Sequence, residues 1–168
     1  MANTYTLIAS GTNSSDNVFV FDNIPQTYTD LVFRATLRTN SSNSMTQNVY
    51  PLVNNNYSNY SSTTLYGQGT DGGGYVRRTS EFNFSTEIYT NGNGTTANSF
   101  GSLEIYIPNY TLSNVKCGFA DVVTETNSNG SAFRGMTSFL WNNTSAITRF
   151  DVAANLTGNY YLYGIKNS

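Results

Sequence analysis

The side chains that could perform acid/base chemistry in this chain are its few carboxylates. The 168 residues contain no histidine and one cysteine, which excludes Ser-His and Cys-His catalysis, histidine-ligated metals and an internal disulfide. A glycosidase needs two carboxyl groups about 5 to 10 Å apart. The candidates are Glu81, Glu87, Glu104, Asp121 and Glu125. Because their spacing is not specific for catalysis, the sequence predicts no enzyme activity.

Two of these carboxylates lie in neighbouring predicted strands and could face each other: Glu104 and Asp121. The alternative is that Glu104 points to solvent and that Asp121 pairs with Lys116 or an arginine, as carboxylates in structural pairs do. We expect the second arrangement.

The glycine-rich segment GQGTDGGG, residues 67–74, could suggest a ligand-binding loop. It opens no helix and lacks the ending of a phosphate-binding loop. Asp71 is its single carboxylate, whereas calcium needs six to eight oxygen ligands. We therefore expect a hairpin connection, with no metal and no cofactor.

Exposed tyrosines and arginines are the candidate contacts for a partner or a glycan. The loop NNNYSNYSS contains two tyrosines, and a third precedes an arginine pair. Aromatic rings flanked by amides and hydroxyls can bind sugars or proteins, although such rings also fold back over a sandwich end. Adjacent strand residues point to opposite faces, so only one of the two arginines can meet a given surface. The candidates are Tyr57, Tyr60, Tyr75, Arg77 and Arg78.

The elements that carry these residues are predicted to be strands. In LVFRATLR, Leu31, Phe33, Ala35 and Leu37 alternate with Arg34 and other outward residues, and SLEIYIP does the same. About ten or eleven such runs are separated by clusters with turn chemistry, among them TNSSDN and ANLTGN. The pattern predicts one all-β domain over residues 1–168, an antiparallel, jelly-roll-like β-sandwich, with another sandwich topology as the alternative.

Two further residues are placed by their strands. Cys117 lies within VKCGFADVV and is expected to be a buried small hydrophobe. Trp141 ends an apolar strand and is expected in the core or at an interface.

The composition favours a protein that works through its surfaces. Asn, Thr and Ser together make up 66 residues, while only 11% are charged and the net charge is −2. The chain has no basic stripe for nucleic acid, no apolar run for a membrane and no recognisable signal peptide. Few charges protect the sheet edges, so we expect a homo-oligomer, a trimer, whose contacts cover those edges.

Four stretches together carry a resemblance: NTYTLIAS, IPQTYTDLVFRATLRT, FGSLEIYIPNY, and LWNNTSAIT with the terminal YLYGIK. They resemble short virion-associated β-sandwich proteins of marine and cyanobacterial tailed bacteriophages. The resemblance implies a β-sandwich accessory protein of the particle, displayed on the capsid as a decoration or head fibre, or carried on the tail. Together with the missing catalytic residues and signal peptide, it leads us to expect a non-enzymatic virion structural protein made in the host cytoplasm, a capsid decoration or cement protein bound to the major capsid protein or another virion protein. The alternative is a tail-fibre or receptor-binding module that recognises host-surface glycans through Tyr57 and Tyr60.

Overall fold

The computed structural model describes residues 4–40, 46–127 and 132–166. These ranges contain eleven strands, and a 3₁₀ turn at Gly69–Asp71 joins β5 to β6. The strands are β1 Thr4–Phe21, β2 Asp30–Thr39, β3 Thr46–Asn48, β4 Tyr50–Val53, β5 Tyr60–Gln68, β6 Gly73–Glu81, β7 Tyr89–Asn91, β8 Gly101–Ile107, β9 Lys116–Thr124, β10 Phe133–Trp141 and β11 Phe150–Lys166. Among the described residues, no helix is long and apolar enough to cross a membrane.

One sheet path organises the strands, in the order β1-β11-β2-β8-β9-β10-β5-β6, and every neighbouring pair on this path is antiparallel. β4 pairs with the first part of β11, and β3 pairs with β7. The one parallel bridge in the described ranges joins Arg38 to Asn91. The predicted all-β, antiparallel, jelly-roll-like sandwich of ten or eleven strands is confirmed.

The long strands β1 and β11 contribute to both layers of the sandwich. The core lies between the main part of the sheet and a second layer, which is formed by β4, the first part of β11 and the last part of β1. β2 buries Leu31, Phe33, Ala35 and Leu37 on one face, as its alternation predicts, but Val32 and Arg38 of the expected outer face are buried as well. The Phe33 ring lies 5.1 Å from that of Phe150 in the second layer. Burial of these rings stabilises the sandwich, since each aromatic side chain removes a large apolar area from water.

Two predicted turns are wrong, because they lie inside the long strands β1 and β11. The TNSSDN and ANLTGN segments are opposite each other in the ladder, with Asn13 paired with Gly158, so their backbone groups bond to each other although their side chains are polar. The register shifts twice between Asn13 and Phe19. Gly158 supports this irregularity with a φ of 141°, in the region that favours glycine.

Candidate binding surface

An exposed apolar surface lies on the outer side of strands β9, β10, β5 and β6. The register aligns Met136 of β10 with Leu65 of β5, and Leu65 with Tyr75 of β6. Phe119 of β9 lies on the same side, because it is two residues from Asp121, the partner of Met136. We call Leu65, Tyr75, Phe119 and Met136 the outer patch; they are 59, 75, 47 and 59% exposed. Grouped exposure of large apolar side chains is typical of an interaction site.

Three members of the outer patch, Leu65, Phe119 and Met136, line a shallow depression. The depression has a volume of about 340 Å³, and Thr63 and Ser138 supply hydroxyls at its side. Phe119 stacks on Tyr106 with ring centroids 5.3 Å apart. The Tyr106 hydroxyl donates to Asp30 Oδ2 at 2.7 Å. Burial, reinforced by this hydrogen bond to Asp30, raises the pKa of Tyr106 to about 12. The ring beneath Phe119 is therefore fixed, which orders this part of the surface.

The two facing carboxylates lie beside the outer patch, and each is paired with an arginine. Glu104 and Asp121 are register partners on β8 and β9, so they do face each other across the predicted neighbouring strands. Arg34 Nε lies 2.6 Å from Glu104 Oε2, and Arg134 Nη2 donates to Asp121 Oδ2 at 2.9 Å. Each carboxylate is therefore held by an arginine of the same chain, in a structural ion pair.

The expected pairing of Asp121 with Lys116 or an arginine is met by Arg134, and Lys116 does not pair with Asp121. The parity of Lys116 on β9 places it on the opposite, inner face, where it is 1% exposed. Its Nζ donates to the carbonyl oxygens of Leu112 and Asn114 at 2.7 and 2.6 Å. Burial lowers the pKa of Lys116. The lysine therefore closes the β8–β9 turn from inside.

The remaining candidate carboxylates have structural contacts. Arg78 Nη2 lies 2.6 Å from Glu87 Oε1, and Tyr89 donates to Glu87 Oε2 at 3.1 Å. Burial raises the pKa of Glu81, against the opposing effect of Arg78 at 3.6 Å. Glu125 Oε1 accepts the backbone N–H groups of residues 126 and 127 and so caps a turn. No group of three or more potential metal ligands occurs within the described ranges.

The loop tyrosines are separated by burial. Tyr57 is 61% exposed beside a polar depression of about 390 Å³, which Asn59, Glu81 and Asn142 also line. Tyr60 is 1% exposed: its hydroxyl accepts from the backbone N–H of residue 53 and donates to the carbonyl of residue 56, both at 3.1 Å. Burial raises the pKa of Tyr60. The prediction of Tyr60 as a contact residue is therefore wrong, because its ring and hydroxyl are both engaged inside the protein.

Tyr75, Arg77 and Arg78 lie on β6, and the expected opposite orientation of the arginines is confirmed. Tyr75 and Arg77 share the outer side with Leu65. Arg77 Nη1 donates to the Ser62 carbonyl at 3.0 Å. Arg78 points to the other side, where Glu87 holds it. The outer surface therefore has Arg77 as its cation on this strand.

Sequence reasoning missed three members of the outer patch, Leu65, Phe119 and Met136, because large apolar residues were assigned to the core. Phe119 could have been found from the sequence, because it lies two residues from the outward Asp121 and therefore points to the same side of β9. The same parity exposes Cys117, so its expected burial is wrong. Trp141 is 1% exposed in the core, which confirms that expectation.

No family model and no curated protein matches the sequence. Among solved structures, the chain is similar to the galectin LEC-6 of Caenorhabditis elegans, with 8% identity, a TM-score of 0.37, and 94% of this chain and 96% of that chain covered. It is also similar to the CBM2 module of the evolved Dit of Lactobacillus casei BL23 phage J-1, with 10% identity, a TM-score of 0.22, and coverage of 95% and 69%. A legume lectin-like domain from Entamoeba histolytica gives 6% identity, a TM-score of 0.21, and coverage of 95% and 84%. Likenesses this distant carry no functional inference.

Proposed function

We propose that this chain is a non-enzymatic structural protein of a tailed-phage virion, a capsid decoration protein that binds the major capsid protein or another virion protein as a homo-oligomer. The observation that carries the proposal is the outer patch, a group of large apolar side chains turned to solvent on a rigid sheet. The sequence resemblance to virion-associated proteins supports the particle as the partner.

The charges of the chain support attachment through apolar contact and hydrogen bonds. Eighteen residues are charged, and the outward carboxylates Glu104 and Asp121 are each paired within the chain. Few charges are therefore left to form ion pairs with a partner. Salt screens exposed ion pairs and leaves apolar burial intact, so attachment should depend weakly on ionic strength.

The experiment is a copy count and a salt wash of purified particles of the phage that encodes the chain. Quantitative mass spectrometry should find hundreds of copies per particle, and these should remain after a wash at about 1 M NaCl, where the Debye length is about 3 Å. Absence from the particle, or release by salt alone, would contradict the proposal. A few to a few dozen copies would indicate a tail or vertex appendage.

A second candidate function is glycan recognition, and the polar depression at Tyr57 favours it. An exposed ring beside amide and carboxylate groups offers both a stacking face and hydrogen-bonding groups for a sugar. A glycan array should then give hits that Tyr57→Ala abolishes and that Tyr75→Ala, which removes a ring of similar exposure elsewhere, retains. An array without hits would refute this candidate and leave the decoration proposal standing.

A further inference from the structure

The last strand of the main sheet, β6, presents an uncovered edge. It ends the strand order in the described part of the chain, and from Gly73 to Ser80 every residue except the half-buried Val76 is exposed. Its ladder with β5 is regular from Gly73 to Thr79. The other end of the path, β1, differs, because three register shifts interrupt it. A regular exposed edge is a template for another strand.

The hairpin geometry shows which backbone groups of β6 face this edge. The N–H of Gln68 donates to the carbonyl of Gly72 at 2.7 Å, so these two residues form a hydrogen-bonded pair. Hydrogen-bonded and non-hydrogen-bonded pairs alternate along an antiparallel ladder. Val76 is therefore bonded to Thr64 of β5. The N–H and C=O groups that point to the free side belong to Gly73, Tyr75, Arg77 and Thr79.

We infer that the β6 edge pairs antiparallel with β6 of a second copy about a two-fold axis at Val76. Each residue then faces the partner residue that lies equally far from Val76 on the other side. Tyr75 therefore faces Arg77 of the partner, and Gly73 faces Thr79 of the partner. All four residues that face the free side take part, which gives about eight hydrogen bonds between the copies. The axis also lies at the middle of the regular segment.

Side-chain chemistry favours this register over the one with its axis at Arg77. An axis at Arg77 would place the two guanidinium groups opposite each other, which is unfavourable for like charges. The axis at Val76 instead places Arg77 opposite Tyr75 of the partner, where the guanidinium can turn from the Ser62 carbonyl to the Tyr75 ring in a favourable cation–π arrangement. On the other face, Arg78 meets the small Gly74. The outer patches of the two copies then join into one continuous surface of two-fold symmetry, a dimer where the sequence suggested a trimer.

The register is tested by cysteine cross-linking of the full chain carrying Cys117→Ser, which removes the exposed native thiol. Val76→Cys places two thiols at a non-hydrogen-bonded pair, where the Cα atoms are about 4.5 Å apart and a disulfide can form. We expect a covalent dimer on mild oxidation. Thr79→Cys is the control, because its two thiols would lie about 20 Å apart along the strands. Equal cross-linking of both variants, or none by Val76→Cys, would overturn the inference.

A charge pair at one position tests the same contact without oxidation. Tyr75→Glu faces the arginine across the axis and should retain the dimer, whereas Tyr75→Lys faces it with a like charge and should reduce the dimer at least tenfold in association constant. Sedimentation at micromolar concentration measures both, and circular dichroism verifies that both fold. Dimers of equal affinity, or a monomeric parent chain, would refute the pairing. The proposed virion role does not enter these readouts, so either idea can fail alone.

Discussion

Replacement of Tyr60 by phenylalanine tests whether the β4–β5 loop is held from inside. The ring stays in the core, and the hydroxyl that bridges the Val53 N–H and the Asn56 carbonyl is lost. The buried N–H of Val53 then has no partner, and a buried unsatisfied donor costs about 1 to 3 kcal/mol. We expect a loss of about 2 kcal/mol in the free energy of unfolding, which for a chain of this length lowers Tm by roughly 4 to 8 °C.

The assay is thermal unfolding followed by circular dichroism, with Tyr57→Phe as the matched control. Tyr57 is 61% exposed in the same loop, so removal of its hydroxyl should change Tm by about 1 °C or less. A Tyr60→Phe variant as stable as the control would refute the assignment of Tyr60 to the interior hydrogen-bond network.

Three further predictions concern the charged and irregular positions. Burial raises the pKa of Glu81, so the folded state favours the protonated carboxyl group. The Tm of Glu81→Gln should therefore equal that of the parent near pH 4 and exceed it as the pH rises to 7. A Tm difference between the two proteins that does not change with pH would count against this. Gly158→Ala, whose Cβ would overlap the Thr36 carbonyl, should cost at least about 2 kcal/mol in chemical denaturation. Gly67→Ala is the control: the added Cβ would lie in open space, so the free energy of unfolding should change by less than about 0.5 kcal/mol. Arg38→Lys keeps the positive charge but removes the guanidinium group that donates hydrogen bonds to the 93–99 loop. Amide hydrogen exchange in this loop should then accelerate about tenfold. Unchanged exchange would contradict the proposed role of Arg38 in holding the loop.

The strand content was predictable because period-two alternation directly records which side of a strand is buried. The runs around Phe33 and Ile105 show it plainly, and both residues lie in the core as predicted. The TNSSDN segment of β1 and the ANLTGN segment of β11 were not predictable in this way. Their polar residues look like turns locally, and only their mutual pairing, between residues 139 to 147 positions apart, makes them strands.

The candidate surface was predictable only in part, for a related reason. Tyr75 and Arg77 stand out as an aromatic and a cation on a polar strand, and both lie on the outer side of the sheet. Leu65 and Met136 do not stand out, because an apolar residue in a strand normally belongs to the core. Tyr60 was misplaced because a polar loop sequence does not reveal that its own ring closes the loop from beneath.

The proposed attachment to a phage particle is tested most sharply by rebinding of the purified chain to particles of the phage proposed to encode it, grown without its gene. Met136→Glu adds a charge in the outer patch, and Leu112→Glu adds the same charge at a position of similar exposure in the β8–β9 turn. We expect that the parent chain and Leu112→Glu rebind, and that Met136→Glu loses at least tenfold in affinity while remaining folded. Equal rebinding of the two variants would contradict attachment through the outer patch.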